Sequence, residues 1–330
     1  MPVILLATHN GQGFLEPLLE SICNQTLRSW TLLASDDASD DRTRSILQRW
    51  SARDTRIRIL PAGPSRLGVL TNFGRLLECA RAEGHREIAL ADQDDVWLRD
   101  KLEQQVYRLR YEQLNLPPRT PVLVHTDLAV VDRRLHVLHP SLRNFAALEP
   151  HRRCSLKSLL MHNCVTGCST MFNQSLLDLA LPLPATAVMH DWWLALCAAG
   201  SGRIAYIPSP TVLYRQHEHN VLGAQGAVVR SALARVLGGR RQWRHDMTHF
   251  FRSVEQARAL RDRIRSTTVR VDPQSVRLLE SYCRIFDEPR SALTRLSALV
   301  RMGLPDVHPL RRALSYCRVL LLNHHAGSRA

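Results

Sequence analysis

The first two hundred residues predict an α/β fold, a parallel sheet with helices packed on its faces. Three observations carry this expectation. Short apolar runs recur at residues 2–8, 31–35, 57–60 and 87–91, each the length of a buried strand. Segments with apolar residues at helical spacing separate them, and such strand–helix alternation builds parallel sheets. Carboxylates gather where the runs end, the edge at which open α/β sheets bind ligands.

The run 2–8 stops at a turn of Asn10, Gly11, Gln12 and Gly13, and residues 14–24 are predicted as the first helix. The strand over 31–35 ends in Asp36 and Asp37. Ser39, Asp40 and Asp41 then offer caps for a helix through Trp50. A third strand over 57–60 and a helix over 70–83 lead to the strand 87–91, which runs into Asp92, Gln93, Asp94 and Asp95. A helix over 99–113 is broken by Pro117 and Pro118, and strand character resumes over 122–125 before Asp127. Residues 140–165 read as loop and short helices, 165–172 as a strand and 192–199 as a helix. Two short strands are expected over 204–207 and 211–214. Beyond residue 224 the pattern is helical only, interrupted near Gly238, Pro273, Pro289 and Pro305. The expected division is an α/β domain over 1–223 and a basic helical region over 224–330.

The chain has 330 residues, 45% hydrophobic and 22% charged, the balance of a soluble globular protein, but its net charge is +14. Residues 224–330 hold 20 arginines, no lysine and 8 acidic residues, while the remainder holds 24 basic and 22 acidic. Such a field attracts anionic partners. Arg240, Arg241, Arg244 and the arginines of 258–265 can face acidic lipid at the cytoplasmic membrane surface, line a homo-oligomer contact, or be solvated faces of an arginine-rich chain. Lys101 and Lys157 are the only lysines. The eight cysteines lie in apolar segments. Cys164 and Cys168 are the closest pair, and no second pair completes a zinc site, so free thiols in a reducing cytoplasm are expected. Met1 leads into an apolar run without a basic start, and no stretch reaches the roughly 18 apolar residues of a membrane span.

A carboxylate pair such as Asp92 and Asp94 can hold a hard divalent cation that grips phosphate oxygens, although solvated loop aspartates are the commoner explanation of that spacing when it stands alone. The combination is more specific. The segments VILLATHNGQGFLEPLLESICNQT, LLASDDASDDRT, ALADQDDVW and HDWWLALCAAG, in this order, resemble the nucleotide-diphospho-sugar transferases of glycosyltransferase family two. Within it they are most similar to the bacterial rhamnosyltransferase-like branch, over about residues 2–222.

The resemblance implies a GT-A fold with a Rossmann-like mixed sheet and a C-terminal helical extension. It implies inverting transfer of rhamnose or another deoxyhexose to a glycan or lipid-linked acceptor, dTDP-rhamnose being the favoured donor and Mg2+ or Mn2+ the cofactor. It places Ala7, Thr8 and Asn10 around the nucleotide and Asp36, with Asp37, at the base or ribose. Asp92 would hold ribose and metal, Asp94 would be the more direct metal ligand, and Asp191 the catalytic base. His190 departs from the family, where Glu often precedes that Asp. The stretch from His162 to Cys168 is similar to a glycine-containing loop against donor sugar and acceptor, which assigns Thr166 and Gly167. The stretch YRQHEHN from Tyr214 resembles YRQHxxN of the branch, offering Arg215 to phosphate and His217 to metal or diphosphate. Glu218 and His219 stand there in place of the more usual Gly-Asn. Arg66, where the family commonly has Asn, is placed near donor phosphate. Trp192 and Trp193 offer faces for an acceptor sugar, core packing being the alternative.

The chemistry asks for the same groups: a base for the acceptor hydroxyl and positive charge on the departing diphosphate. An N-cap to the following helix is the structural alternative for Asp191. A nucleotidyltransferase would need a basic glycine-rich loop after the first strand, where this chain has only His9. The charge would suit a nucleic-acid binder, but no helix-turn-helix, zinc-finger or stacking pattern appears, and no nucleic-acid partner is expected. A sugar-binding protein without turnover would not need Asp92, Asp94 and Asp191 together.

Overall fold

The computed structural model describes residues 1–63, 65–145, 154–217, 239–267, 269, 271–288 and 291–303, with side chains of the helix that begins at residue 239 described from 248 on. The elements are β1 Val3–Thr8, α1 Leu15–Cys23, β2 Thr31–Asp36, α2 Thr43–Arg53, β3 Ile57–Ile59, α3 Val69–Ala82 and β4 Glu87–Asp92. There follow β5 Val96–Trp97, α4 Lys101–Leu114, β6 Val122–Val131, β7 Val137–His139, α5 Leu142–Phe145 and α6 Leu156–Leu159. A 3-10 turn Gly167–Ser169 leads into β8 Thr170–Asn173, α7 Gln174–Ala180, α8 His190–Ser201 and β9 Arg203–Arg215. Three further helices are α9 Gly239–Ser266, α10 Pro273–Asp287 and α11 Ala292–Arg301.

One sheet runs in the order β3-β2-β1-β4-β8-β6-β9-β5, with β7 on β6. The first four strands are parallel, β8 is antiparallel to both β4 and β6, and β9 is parallel to β6, so the parallel sheet read from strand–helix alternation becomes a mixed one. Alternation along β1 shows how helices cover both faces. Val3 and Leu5 join a core with α3, α7 and α8, while Ile4 and Leu6 join one with α1, α2 and α4. The register sets Ala7 between Ser35 and Asp92, and Thr8 opposite Asp36, so three strand ends meet in one row.

The expected strands 204–207 and 211–214 are a single strand, β9. Its register with β6 slips where Pro210 faces Asp127, because proline brings no N–H to the ladder. The helix α7 replaces what the sequence reads as featureless chain; Asn173 caps it, its Oδ1 accepting from the Leu176 N–H at 3.0 Å. Among the described residues, α9 to α11 share the core of α8. Phe250, Val254, Ala257, Leu260 and Ile264 form one helical stripe, and the Tyr282 hydroxyl donates to Leu160 O at 3.1 Å. Arg258, Arg261 and Arg265 pair with Glu255, Asp287, Asp262 and Glu280, so these basic groups are spent within the molecule. The side chains of Arg240, Arg241 and Arg244, and residues 218–238 altogether, lie outside what is described.

Cys154 and Cys164 are paired, their Cα atoms 5.9 Å apart, which corrects the expectation of uniformly free thiols. Among the described residues no helix is long and apolar enough to cross a membrane. The turn from α8 to β9 is sterically closed: a Cβ on Gly202 would run into the Pro121 carbonyl oxygen, backbone that cannot yield. Gly202→Ala is therefore expected to destabilise the protein by about 1–3 kcal/mol, read as a lowered denaturation midpoint. An unchanged midpoint would show that β6 and β9 can separate at this end.

Candidate active site

The site forms where β1, β2, β4 and the turn before β8 end together. At the β2 side, the buried Asp36 accepts from Thr8 Oγ1 at 3.0 Å and Ser39 Oγ at 2.6 Å. Asp37 accepts the backbone N–H groups of Leu67 and Gly68 at 2.6 and 2.8 Å, fixing the loop that exposes Arg66. Asn10, at φ +49°, accepts the Asp40 N–H at its Oδ1 and donates its own N–H to Ser39 Oγ. These residues assemble as one wall.

The second wall is the turn after β4. Gln93 grips the backbone of His9 twice, accepting its N–H at 2.9 Å and donating to its carbonyl at 2.8 Å. A side chain on Gly11 would displace that amide. Asp94 Oδ2 lies 2.8 Å from His217 Nε2, whose ring stacks on Phe14 with centroids 4.7 Å apart. Arg215 is buried and donates to the carbonyls of Asp94 at 2.7 Å and Arg133 at 2.6 Å, and its N–H bonds Asp95 Oδ1. Arg215 thus fastens the carboxylate turn to β9.

Three carboxylates are electrostatically crowded. Burial first, then the charges of Asp94 and Asp191, pushes the Asp92 carboxyl up to about 7. Burial with Asp94 and Asp92 raises Asp95 well above the usual range. The Cys168 thiol is raised too, by burial and by Asp95 and Asp92. The fully buried Lys101 ammonium is lowered to about 7 by burial, against the attraction of Cys168 and Asp95.

Asp191 closes the site from the third side. It is the second residue of α8, so the alternative N-cap position belongs to Met189, which has no capping side chain. Its Oδ2 accepts the Gly167 N–H at 3.0 Å and Oδ1 the Trp192 N–H at 2.6 Å, and Asn163 adds a side-chain bond. Burial raises its carboxyl to about 6, partly offset by these hydrogen bonds. Beside it the enclosed His190 stacks on Phe73 at 3.7 Å and is pushed down to about 3 by burial. A Cβ on Gly167 would stand 3.1 Å from His190 Nε2 and 3.5 Å from the Asp191 Cβ. Gly167→Ala is expected to lower kcat about ten- to a hundred-fold with donor affinity unchanged. An unchanged kcat would show that this turn does not set Asp191.

The sequence-derived residues Ala7, Thr8, Asn10, Asp36, Asp37, Asp92, Asp94, Arg215 and His217 fall on the first two walls, and Thr166, Gly167 and Asp191 on the third. Asp127 does not join the carboxylates; it accepts from Ser141 Oγ at 2.6 Å. Trp192 and Trp193 are corrected from acceptor faces to core. They are 2% and 0% exposed, and their indole N–H groups donate to the carbonyls of Leu159 and Ala180. Gln93, Lys101 and Cys168 were not assigned from the sequence; the scarcity of lysine, two in an arginine-rich chain, was the available signal for Lys101. Glu218, His219 and Asn220 lie outside the described residues.

Comparison with known proteins decides the family. The profile described as Glycosyl transferase family 2 matches residues 3–178, more than half of the chain. The chain belongs to glycosyltransferase family 2. This glycosyltransferase is 26% identical over 228 residues to a dTDP-rhamnosyl transferase, RfbG, of Shigella flexneri, a match over 66% of this chain and 74% of that protein. Its fold is that of S. aureus TarS residues 1–349, solved with UDP-GlcNAc, at a TM-score of 0.55 and 13% identity over 100% of this chain and 93% of that one. A mannosyltransferase of Pyrobaculum calidifontis, solved with GDP-Man and Mn2+, superposes at a TM-score of 0.52 with 17% identity, over 97% of this chain and 80% of that one. The fold of this family 2 enzyme is GT-A, with a helical C-terminal region.

Proposed function

We propose that this enzyme moves a deoxyhexose, rhamnose foremost, from dTDP-rhamnose to a hydroxyl of a glycan or lipid-linked acceptor during cell-surface polysaccharide synthesis, with inversion. The observation that carries the reading is the convergence of Asp92 and Asp191, carboxylates from separate elements, the charge of Asp191 acting on Asp92. The relative named as a dTDP-rhamnosyl transferase supports the choice of sugar.

Asp191 accepts the proton of the acceptor hydroxyl as that oxygen bonds to the anomeric carbon and the bond to the diphosphate breaks. A carboxyl raised to about 6 is ionised at neutral pH yet basic enough to take the proton. The Gly167 and Trp192 N–H groups hold its orientation. Ala7, Thr8, Asn10, Asp36 and Asp37 shape the nucleotide pocket, and Arg66 lies at its exposed rim. The crowded carboxylates fit a divalent cation, because a cation offsets both the burial and the neighbouring negative charges that raise Asp92. Asp92 and Asp94 would hold it, with His217 beside Asp94. Mg2+ or Mn2+ bound there supplies positive charge to the departing diphosphate. Acidic lipid at the membrane face is the partner proposed for Arg240, Arg241 and Arg244.

The test is release of nucleoside diphosphate from a panel of sugar nucleotides, with Mn2+ and with chelator. Metal-dependent release from dTDP-rhamnose is expected. Release from another donor alone would overturn the sugar assignment, and release unaffected by chelator would overturn the metal.

A further inference from the structure

Behind Asp92 lie two groups, Asp95 and Cys168, for which the proposed donor chemistry gives no use. Cys168 and Asp95 are fully buried and Asp92 partly so, and one ligand atom from each lies within 4.8 Å of the other two. Asp95 Oδ1 takes the Arg215 N–H, while the enclosed Oδ2 has no N–H or O–H partner, and the Cys168 thiol of the same cluster is the group that reaches this carboxyl. A thiol is a weak donor, so the buried oxygen is left poorly satisfied.

We propose that Asp92, Asp95 and Cys168 form a binding site for a thiophilic divalent cation, Zn2+ or Cd2+, separate in ligand type from the Mg2+ or Mn2+ of the donor. A sulfur donor among carboxylates disfavours the hard cations and suits the softer ones. Zn–S and Zn–O bonds of about 2.3 and 2.0–2.2 Å put tetrahedral donors about 3.3–3.7 Å apart, so the three side chains, whose ligand atoms lie within 4.8 Å of one another, would close on the ion. The charges close as well. A divalent ion and the ammonium of Lys101 together balance two carboxylates and a thiolate. That ammonium is fully buried, 2.8 Å from Gln105 Oε1 and 4.0 Å from the centre of the Trp97 ring, and its charge acts on Asp95 and Cys168. A compact ammonium is enclosed here in a chain whose 44 basic residues include only two lysines. Entry is along the partly exposed Asp92. Binding forms a metal–sulfur bond and releases the thiol proton to solvent, and water completes the coordination. An ion so held draws on Asp92 and would compete with donor, a consequence that rests on the proposed function, whereas the binding itself does not.

The experiment is a Cd2+ titration of the full chain in excess Mg2+, following the ultraviolet sulfur-to-cadmium charge-transfer band. The wild type is compared with Cys168→Ser, Cys168→Ala and Asp95→Asn. Asn keeps an oxygen for the Arg215 N–H, so that variant preserves the turn, and the remaining thiols form a common background. Loss of one equivalent of the band in either Cys168 variant is expected, together with about a ten-fold or greater weakening of that equivalent in Asp95→Asn. A band unchanged without Cys168 overturns the site. So does a band that needs Cys168 but ignores Asp95, which would be a lone thiol binding cadmium. Should both Cys168 variants fail to fold, Asp95→Asn decides: wild-type stoichiometry and affinity there overturn the proposal. No turnover is required, so an error in the donor assignment would leave this readout intact.

Discussion

Replacing Asp191 by Asn is expected to lower kcat by about 10²–10⁴-fold while donor binding survives, the range over which a positioned base contributes. The amide has nearly the shape of the carboxylate but cannot take the acceptor proton. It must also turn its NH2 toward one of two backbone donors, Gly167 N–H or Trp192 N–H, at a cost of about 1–3 kcal/mol. A denaturation curve on the same variant separates that cost from the chemical one. The wild-type pH profile gives an independent check. Asp191 works as a base only when ionised, so with its carboxyl raised to about 6 the rate should fall as pH drops through that value and level off above it. The stability sign is opposite. A carboxyl raised above its unfolded value of about 3.9 favours the fold most below that value, and the contribution is lost as pH rises through about 6. Wild-type turnover in Asp191→Asn would remove the base assignment outright.

The second large effect is expected for Asp94→Asn. Weakened neutralisation of the diphosphate should cost about 10²–10³-fold in kcat, by analogy with losing one preorganised electrostatic contact. Metal-dependent donor binding, measured by calorimetry with and without Mn2+, should fall as well, which distinguishes this variant from Asp191→Asn. The substitution also removes one oxygen that His217 Nε2 meets at 2.8 Å. His217→Ala therefore serves as the control: a loss confined to that contact would leave metal-dependent binding largely in place.

The first half of the sheet was legible because its signals are local. Each of β1, β2 and β4 is a short apolar run that ends at or just before Asn or Asp, and their carboxyl ends carry the site. The antiparallel β8 was not legible as such, since it pairs with β4 and β6, both more than forty residues earlier in the chain, and direction leaves no trace in a four-residue strand. Pro208 and Pro210 made β9 look like two strands, although a register slip keeps it whole. Asp92, Asp94 and Asp191 were readable through motif resemblance. Cys168 and Lys101 read as ordinary apolar loop and helix surface, because what makes them unusual is enclosure next to carboxylates distant in sequence. The tryptophans after Asp191 erred in the other direction: large rings in a short motif look like a sugar platform, yet α8 is buried on nearly every side.

The enclosure of Lys101 also has a practical side. Acylating and aldehyde reagents attack side-chain amines and spare guanidinium groups. With one of its two lysines sealed behind Trp97 and Gln105, the enzyme offers such reagents a single side-chain target, the half-buried Lys157 on α6. Amine coupling to a sensor surface or a dye would therefore tether most molecules in few orientations, and peptide mapping after acylation of the native and the unfolded chain would report, through Lys101, whether the carboxylate turn has opened.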